Sequence, residues 1–577
     1  MSVFTFDESH SLGKVRAVDT RRVSVQVAND EDLRKARVGQ LVAMALPGAL
    51  EEWLIGMIDK VVKVPVPVEE GELPEEEEVE IAIHREGVLN TVRVTLVGTV
   101  CLGANDQPRF SRSLVQVPEI DCACNILRDA QLQVFMNMLS TAGETEHSLE
   151  IGRYSIDDTA KAFLDGNKLF QRHASLLGST GSGKSWAIAS ILEQAAKLPS
   201  SNLIVFDLHG EYRKLSYARH LRIPGPEELG KEDKTLLFLP YWLLNAEELQ
   251  AMFIDRSEFA AHNQVMVFQD SVVDGKRRTL EDLDKQEVLA AFTLDSPIPF
   301  SLDNVLKELE RLNEERVPGS KPNTEKNGPF FSQFSRLLIR LASKIDDKRY
   351  GFLFQAPEAE HEYAAMSSMV ERLMDYSTPK AQIKVIDFSE VPADVLPIIV
   401  GLVARIIYQV QFWTDRLKRR PFAFVCDEAH LYLPRKEGRN PAEQRAIESF
   451  EKIAKEGRKY GVSLLIISQR PSDVSPTILS QCNNVVSLRL TNGEDQATVK
   501  RLMPESLGGM MDCLPNLDIG EALVVGDAVL LPSRIRLNPP NEEPLSATVD
   551  FWTEWCKEPD KPDFAQAVEN MRRQNRQ

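Results

Sequence analysis

A phosphate-binding pattern lies in the stretch "LLGSTGSGKS", residues 176–185. Glycines at this spacing let backbone N–H groups wrap a phosphate chain, and Lys184 can then meet its β and γ oxygens. The hydroxyl of Ser185 is placed to ligate Mg²⁺. The apolar run before the pattern predicts a strand, and the residues after it predict a helix, which is the context that this chemistry requires. We therefore predict a nucleotide-binding loop, the P-loop, made of Gly178, Ser179, Thr180, Gly181, Ser182, Gly183, Lys184 and Ser185.

Two adjacent carboxylates end another apolar run, "FAFVCDEAH", residues 422–430. Asp427, at the end of a buried strand, can hold the Mg²⁺ shell, and Glu428 can polarise an attacking water. A switch GTPase generally has no glutamate at this place, so the pair favours an ATPase that turns over unaided. The alternative, an ordinary acid pair at a strand end, loses weight beside the predicted P-loop.

Two further side chains are candidates for contact with the γ-phosphate. Gln469 ends the next apolar run, "SLLIISQR", where a neutral amide can sense that phosphate or place the water. Arg458, in "EGRKYG" just before this run, is a candidate arginine finger, because a guanidinium neutralises transition-state charge well. If Arg458 acts on the ATP of a neighbour, the subunits must assemble. For both residues the alternative is a polar side chain that faces solvent.

Three other patterns have an open or a misleading meaning. Asp207 and Glu211, in "FDLHGEY", either face the nucleotide or brace the loop, and the sequence does not decide between these roles. His209 and Glu211 imitate an H-x-E zinc pair, but no P-C-x-x-C follows, so we expect no zinc. "SLGGM", residues 506–510, is similar to a signature of transport ATPases, but it comes after the acidic pair and not before it.

The apolar runs that must position these side chains indicate a doubly wound α/β core. Short apolar runs that end in polar residues alternate with predicted helices, which is typical of a parallel sheet. Ligands bind at the carboxyl ends of the strands in such sheets. The runs are "HASLLG", "SNLIVFD", "IKVIDFS", "PFAFVCD" and "GVSLLIISQ".

The rest of the chain differs from this core in its periodicity. Short strands rich in Val and Thr predict a small N-terminal β-barrel, and helical periodicity predicts an insertion between two strands of the core. "RVPGSKPNTEKNGPF", residues 316–330, indicates a linker or loop within this insertion. The predicted boundaries are 1–125 for the barrel, 126–225 and 381–540 for the two parts of the core, 226–380 for the insertion and 541–577 for a tail.

Composition places the chain among cytoplasmic proteins. Of the 577 residues, 43% are hydrophobic and 27% charged, which is typical of globular proteins. We expect no secretion signal, no membrane segment, and reduced thiols, because the seven cysteines form no CxxC pair. The net charge of -18 counts against nucleic acid as a binding partner. Part of this charge lies in the acidic run 69–80, which is a predicted solvated loop. Net charge also says little about a site that an assembly encloses.

Several blocks in order resemble the HerA-type ATPases of the HerA/FtsK superfamily. Six or more such blocks are far more specific than any single motif, and the likeness covers most of the chain. It is weakest over residues 1–120. The blocks are "RHASLLGSTGSGKS", "FDLHGEY", "LPYWLLNAEEL", "FVCDEAH", "GRKYGVSLLIISQRPSDV", "LRLTNGEDQ" and "GEALVVGDAVLLPSRIRL".

The resemblance implies a fold, an activity and an assembly. The fold would be a RecA-like P-loop core with a helical insertion behind a HAS-type barrel. The activity would be ATP hydrolysis with Mg²⁺, coupled in a homo-hexameric ring to movement along double-stranded DNA in the channel. Members commonly work with a nuclease or another effector, in DNA end processing or anti-phage defence, and we expect docking near the barrel.

By position, the resemblance also assigns roles to single residues. Lys184 and Ser185 would bind nucleotide and magnesium, Asp427 would be the Walker B aspartate and Glu428 the catalytic acid. Gln469 would be the strand-end glutamine of the family, and Arg458 the arginine that acts on a neighbour. Arg172, just before the P-loop strand, is a further candidate for contact with phosphate.

Two basic stretches are candidates for contact with DNA phosphates, which a translocase grips without reading bases. One is "LPRKEGR", with Arg435, Lys436 and Arg439, and the other is Lys276–Arg278. Each could equally be an ordinary solvated stretch. Besides a DNA translocase, two function classes stay open: an ATPase scaffold that assembles and gates an effector, and a motor that acts on protein. We find no aromatic pore loop for the last class and no nuclease residues.

Overall fold

The computed structural model describes most of the chain, and several of the predicted loops lie outside the described residues. The acidic run 69–80 is one of these, together with Lys436, Arg439 and the first part of "SLGGM". The described residues are 3–46, 52–65, 88–102, 108–114, 116–321, 323–435, 441–504, 508–546, 550–558 and 564–573.

The chain divides into two units, which are described one at a time. The first unit is Met1–Ile191, Gln469–Ser472 and Cys482–Pro540. The second unit is Leu192–Ser468, Asp473–Gln481 and Asn541–Gln577.

The N-terminal strands of the first unit form a closed barrel of six strands. The strand order is β2-β1-β7-β3-β4-β5, and pairing between β2 and β5 closes the ring, while β6 pairs with β5 outside it. Closure removes free strand edges, and alternate apolar residues fill the interior, as in "RVSVQV" of β2. The predicted barrel is confirmed. Its strands are β1 Ser11–Asp19, β2 Arg22–Val27, β3 Leu41–Ala45, β4 Trp53–Pro65, β5 Val88–Leu102, β6 Pro108–Ser111 and β7 Ala123–Ile126.

The first unit also contains the strand that leads into the P-loop. This strand, β10, pairs in parallel with β18, and β18, β19, β20, β8 and β9 then follow in antiparallel order. The helix that follows the P-loop is Lys184–Ala196, and it begins in this unit. The strands are β8 Ser148–Tyr154, β9 Asp157–Asp165, β10 Ala174–Leu177, β18 Asn484–Leu488, β19 Glu521–Val525 and β20 Ser533–Leu537.

The second unit carries five parallel strands in the order β12-β15-β11-β16-β17. Four of them are buried along their whole length, as the continuous apolar runs predict for a sheet covered on both faces. Because the strands are parallel, the polar residues that end them lie at one edge. The α/β P-loop core is confirmed. The strands are β11 Leu203–Asp207, β12 Arg219–Arg222, β15 Ile383–Asp387, β16 Phe422–Cys426 and β17 Val462–Ser468.

Helices predominate between β12 and β15. Asn245 begins the first of them with a capping box, in which its side chain accepts from the backbone of Glu248 and Glu248 accepts from its N–H. The stretch 316–330, predicted as a linker, contains a short hairpin of β13 Arg316–Pro318 and β14 Glu325–Asn327. The helices here are Ala246–Phe253, Ala261–Asp282, Gln286–Leu289, Leu302–Glu314, Ser335–Asp346, Gly351–Phe354 and Ala365–Met374.

Shorter helices and the core helices complete the described elements. The longest core helices are Leu396–Trp413, between β15 and β16, and Pro441–Glu456, between β16 and β17. The others are Asp30–Leu33, Asp129–Gly143, Gly166–Gln171, Pro476–Leu479, Gly493–Leu502, Gly508–Met511, Phe551–Trp555 and Ala565–Arg573.

One helix among the described residues is apolar and long enough to cross a membrane, Leu396–Trp413 with 18 residues. Of its apolar stretch, 67% is buried inside the chain, as is typical of a core helix. Its one charged residue, Arg405, donates to both carboxylate oxygens of Glu248, at 2.8 and 2.7 Å, and to the carbonyl of Leu243. Glu248 is almost fully buried, so this pair joins the helix to the insertion without leaving a bare charge.

We predict that Arg405→Met destabilises the second unit by about 3 kcal/mol, because it leaves the Glu248 carboxylate buried without its cation. The measurement is the unfolding midpoint in denaturant. Adding Glu248→Gln to the same protein should recover part of the loss, since a neutral amide is less costly to bury than a carboxylate. If Arg405→Met alone is as stable as the wild type, the ion pair contributes nothing to the stability of the second unit.

Candidate functional site

The P-loop leaves the carboxyl end of β10 and is held by backbone hydrogen bonds within the first unit. The N–H of Ser179 donates to the carbonyl of Arg489 at 2.8 Å, and the N–H of Gly520 donates to the carbonyl of Ser182 at 3.0 Å. Two backbone hydrogen bonds therefore anchor the loop on both sides. Lys184 is buried, and its Nζ donates to the carbonyl of Ser179 at 3.1 Å.

Two P-loop glycines are required by the geometry. A Cβ at Gly178 would lie 2.6 Å from Oγ of Ser182 and 2.8 Å from Cβ of Leu488, so the backbone there has no room for a side chain. Gly183 has a φ of +103°, a conformation that L side chains rarely adopt. The positions that the pattern marks as glycine are thus fixed by contact and by backbone angle.

Gln469 follows β17 directly and lies beside the P-loop in the first unit. Its Oε1 accepts a hydrogen bond from the hydroxyl of Thr180. The two residues are 289 positions apart in the chain, so only the tertiary structure brings them together. The predicted partner of the γ-phosphate is therefore linked to the tip of the loop predicted to hold it.

The acidic pair ends β16 in the second unit, and its backbone is strained. Glu428 has φ 45° and ψ 43°, the left-handed region, which costs a residue with a side chain of the order of 1 kcal/mol. Asp427 Oδ1 accepts from the N–H of Glu428 at 2.9 Å, and the carbonyl of Asp427 accepts from the buried hydroxyl of Tyr432 at 3.0 Å. These bonds hold the turn that places both carboxylates side by side.

The electrostatics of this edge are dominated by negative charge. Burial and the neighbouring carboxylates of Glu428, Glu211 and Asp207 raise the pKa of Asp427 well above its usual value. Nδ1 of His430 lies 3.3 Å from Oε2 of Glu428 and 3.3 Å from the hydroxyl of Ser468. A bound divalent cation would relieve the repulsion between the carboxylates, as expected of an Mg²⁺ site.

The sequence left open whether Asp207 and Glu211 face the nucleotide or brace the loop. The structure decides this for Asp207. Asp207 is fully buried, and its carboxylate accepts from the N–H groups of four successive residues, 209 to 212, at 2.8 to 3.3 Å. Both oxygens are used, so Asp207 braces the loop. Gly210 completes this turn with a φ of +74°.

Arg458 lies in the turn Gly457–Tyr460, at the amino end of β17, and it is exposed. Glu428 follows the carboxyl end of β16, which pairs in parallel with β17. The two residues are therefore at opposite edges of the sheet, separated by roughly the 20 Å that six to seven strand residues span. This placement keeps Arg458 away from Glu428 of its own chain.

Arg172 lies at the amino end of β10, and the P-loop leaves from the other end of that strand. Its guanidinium forms an ion pair with Asp527, and both side chains are about 40% exposed. Its carbonyl accepts from the N–H of Asn483 at 3.1 Å. The structure thus provides partners for Arg172 within the first unit, and a contact with phosphate stays a prediction.

The two basic stretches predicted to meet DNA differ in exposure. Arg435 is exposed, and its N–H donates to the carbonyl of Asp473 at 2.9 Å; Lys436 and Arg439 lie outside the described residues. Lys276 is buried in the helix Ala261–Asp282, where Nζ donates to the carbonyls of Leu294 and Ser296, both at 2.7 Å. Lys276 therefore cannot contact DNA, because it lies on the buried face of its helix, whereas Arg277 and Arg278 of the same stretch are exposed and stay candidates.

The residues present fit a nucleoside triphosphate with Mg²⁺. The glycine positions of the P-loop leave space where a Cβ would collide, and the buried hydroxyl of Ser182 has no partner among the described residues. In the second unit, burial and the neighbouring carboxylates raise the pKa of Asp427, and a divalent cation would relieve that repulsion. In the first unit, Lys184 and Ser185 are the residues that would hold a nucleotide and its metal, and in the second unit Asp427 and Glu428 form the acidic pair.

Sequence reasoning missed three contributors to the site. Thr180 was assigned only as a loop residue, whereas its hydroxyl binds Gln469. His430 and Tyr212 both approach the acidic pair. The sequence indicated these two residues only by their place in "DEAH" and "DLHGEY", each of which begins with an acid at the end of a strand.

The chain is similar to HerA helicases. Residues 149–407 match the family model described as helicase HerA, central domain. The DNA double-strand break repair helicase HerA of Pyrococcus furiosus is 25% identical over 439 residues, which are 67% of this chain and 69% of that protein. A probable HerA helicase of Methanocaldococcus jannaschii is 26% identical over 426 residues, 68% of this chain and 77% of that protein.

Solved structures with a similar arrangement include VirB4 of Thermoanaerobacter pseudethanolicus, at 18% identity and a TM-score of 0.44, over 69% of this chain and 97% of that one. The plasmid coupling protein TrwB in complex with ADP and Mg²⁺ is 14% identical with a TM-score of 0.43, over 70% of this chain and 92% of that one.

We predict that Gly178→Ala weakens ATP binding at least tenfold, because its Cβ would displace Ser182 or Leu488 and move the loop. The measurement is titration with a fluorescent ATP analogue. The matched control is Gly230→Ala, where no atom lies within 4 Å of the added Cβ, and its affinity should equal that of the wild type. Equal affinities for the two variants would show that the loop tolerates the collision.

Proposed function

We propose that the chain is a HerA/FtsK-type ATPase, which uses ATP and Mg²⁺ and works as a hexameric double-stranded DNA translocase. The observation that carries the proposal is the match of residues 149–407 to the HerA central domain. The relatives named DNA double-strand break repair helicases support DNA as the substrate. We further propose that it works with a partner nuclease or another effector, in DNA end processing or anti-phage defence.

The residues of the site divide the work of phosphoryl transfer. Lys184 neutralises the β and γ oxygens, and P-loop N–H groups orient them. Ser185 and Asp427 would hold Mg²⁺, which would supply charge stabilisation. Glu428 polarises the attacking water, whose oxygen forms the new bond to the γ-phosphorus as the bond to the β–γ bridging oxygen breaks. Gln469 orients that water or reports the presence of the γ-phosphate.

An arginine from a neighbouring subunit completes the site in this proposal. Arg458 is exposed and lies at the edge of the sheet opposite to Glu428 of its own chain. A guanidinium in that position can reach only the ATP of another copy, where it would stabilise the transition-state charge. A ring in which each Arg458 faces the next site would couple hydrolysis between neighbours.

DNA would be gripped by phosphate contacts from a few loops, so the net charge of -18 does not oppose the proposal. Arg435, the exposed residue soon after the acidic pair, is placed to report the state of the nucleotide to DNA. The N-terminal barrel is the proposed docking site of the effector. If DNA leaves hydrolysis unchanged, the scaffold function, in which the ATPase gates its effector, becomes the better account.

We predict that linear duplex DNA stimulates ATP hydrolysis by the purified chain, and that Arg435→Ala with Lys436→Ala weakens this stimulation. The DNA concentration that gives half-maximal stimulation should rise with salt, and loss of two phosphate contacts should reduce that slope by roughly 2. Hydrolysis without DNA should persist in the double variant.

The matched control for this experiment is Lys348→Ala with Arg349→Ala, which removes two exposed charges from another part of the second unit. It should leave DNA stimulation intact. Glu428→Gln, as the inactive reference, should lower hydrolysis by about 10² or more with and without DNA. Normal stimulation of the Arg435–Lys436 variant would remove this loop from the DNA path.

We predict that Arg458→Ala and Glu428→Gln, each with little activity alone, regain ATP hydrolysis when the two proteins are mixed. In a mixed ring, some sites combine an intact Glu428 from one subunit with an intact Arg458 from the next. Exchange of subunits is checked by native mass spectrometry, which also gives the number of subunits.

A mixture of Glu428→Gln with Lys184→Ala is the control, because both residues serve the same site and mixing should restore nothing. Mixed rings of Arg458→Ala and Glu428→Gln that stay inactive would contradict action between subunits. Full activity of Arg458→Ala alone would exclude it as the arginine finger.

A further inference from the structure

The turn Gly457–Tyr460, which carries Arg458, is attached to the sheet by its backbone. It joins the helix Pro441–Glu456 to β17. Gly461, the next residue, has a φ of +71°, and its carbonyl accepts from the N–H of Phe422 at 2.8 Å. Because Phe422 is the first residue of β16, the end of the turn is fixed at the amino edge of the sheet.

The ring of Tyr460 attaches the same turn to a neighbouring helix. Its centroid lies 5.2 Å from the ring centroid of Phe412 and 5.8 Å from that of Tyr408, which it meets edge-on at 90°. Both partners belong to the last turns of the helix Leu396–Trp413. Aromatic pairs at such distances attract each other beyond the effect of burial. Tyr460 therefore ties the turn of Arg458 to the carboxyl end of this helix.

Arg419 completes the aromatic cluster with a cation. Its guanidinium carbon lies 5.0 Å from the ring centroid of Tyr460, within the range of cation–π attraction. Its Nε donates to the carbonyls of Gln411 and Thr414, both at 2.9 Å, and its Nη2 donates to the carbonyl of Phe412 at 3.0 Å. These carbonyls end the helix, where a cation is favourable. One guanidinium is thus fixed by three backbone acceptors and lies over the ring of Tyr460.

Arg458, by contrast, is exposed and has no hydrogen bond or ion pair among the described residues. The point from which its side chain starts is therefore set by the turn alone. A long side chain that no partner holds loses rotamer freedom when it binds, so its reach depends on where the backbone places it. A displacement of about 1 Å at a group that serves the chemistry can cost about 10²-fold in rate.

We propose that Arg419 and Tyr460 are positioning residues, which form a clamp that sets the turn of Arg458 where its guanidinium reaches the ATP of a neighbouring subunit. The inference rests on the proposed role of Arg458 and adds the residues through which that role depends on the fold. The support of the clamp is the helix Leu396–Trp413, most of which is buried. Loosening the clamp should slow hydrolysis in the neighbouring site and leave ATP binding unchanged.

The test is ATP hydrolysis without DNA by Tyr460→Leu and by Arg419→Ala. Each should lower kcat about tenfold, which is less than complete misplacement costs, while the affinity for a fluorescent ATP analogue stays within about twofold because the P-loop is untouched. Tyr460→Phe keeps the ring and should retain the turnover of the wild type. The matched control for Arg419 is Arg416→Ala, which removes an exposed cation that meets no aromatic ring among the described residues, and it should leave kcat unchanged.

Mixed rings distinguish a clamp that serves the neighbouring site from damage to the site of the same chain. Tyr460→Leu mixed with Glu428→Gln should exceed the mean activity of the two proteins, because some sites combine an intact Glu428 with a well-placed Arg458. Tyr460→Leu mixed with Arg458→Ala should gain nothing, because neither protein supplies a well-placed arginine. The opposite pattern, a gain with Arg458→Ala and none with Glu428→Gln, would overturn the proposal.

If Tyr460→Leu does not fold, Arg419→Ala carries the same measurements, because it removes only a partly exposed side chain. Wild-type turnover of Arg419→Ala beside an inactive Arg458→Ala would exclude the clamp and leave the arginine finger in place. Full activity of Arg458→Ala would exclude the finger itself and the clamp with it. The failure of this inference and the failure of the proposed function therefore give different results.

Discussion

The parallel register of β11, β15, β16 and β17 is the constraint on which the catalytic edge of the second unit depends. Phe206 lies opposite Cys426 and Asp207 opposite Asp387, so the strands end together and their polar residues leave the sheet at one edge. Continuous apolar runs bury these strands on both faces and leave no freedom to slip. A shift of one residue between β11 and β16 would separate Asp207 from Asp427 and destroy the cluster. The acidic site is thus a consequence of how the core packs.

This register has an electrostatic cost, because it gathers buried carboxylates at one edge of the sheet. Asp207, Glu211, Asp427 and Glu428 lie close enough to raise the pKa of Asp427, and Glu428 also takes a strained backbone conformation. Hydrogen bonds within the same turns offset part of this cost. Four N–H groups stabilise Asp207, and the carbonyl of Asp427 is held by Tyr432. Backbone strain therefore lies at Glu428 and carboxylate repulsion at Asp427, while elsewhere in the unit the buried Glu248 is paired with Arg405.

The sequence was informative at positions where the backbone conformation or the chemistry allows only one or a few residue types. Gly178, Gly183 and Lys184 could be assigned because few residues replace them, and the alternation in β2 and the continuous runs of β11 to β17 indicated a barrel and a parallel sheet. Prediction was weaker where a role depends on which way a side chain points. Lys276 was predicted to face DNA, but it is buried against the carbonyls of Leu294 and Ser296. The stretch 316–330 was predicted as a linker, yet it pairs with itself as a hairpin.

What the sequence alone determined is the class of the protein: an α/β P-loop ATPase behind a β-barrel, with its phosphate loop and acidic pair, because periodicity and motif spacing are local properties. The tertiary structure decided what depends on residues far apart in the chain. Thr180 meets Gln469 across 289 positions, Arg405 neutralises Glu248 across 157, and Arg172 pairs with Asp527 across 355. It also decided the role of Asp207, which the sequence had left open. Only the packing of this loop shows that the backbone uses both oxygens of the Asp207 carboxylate.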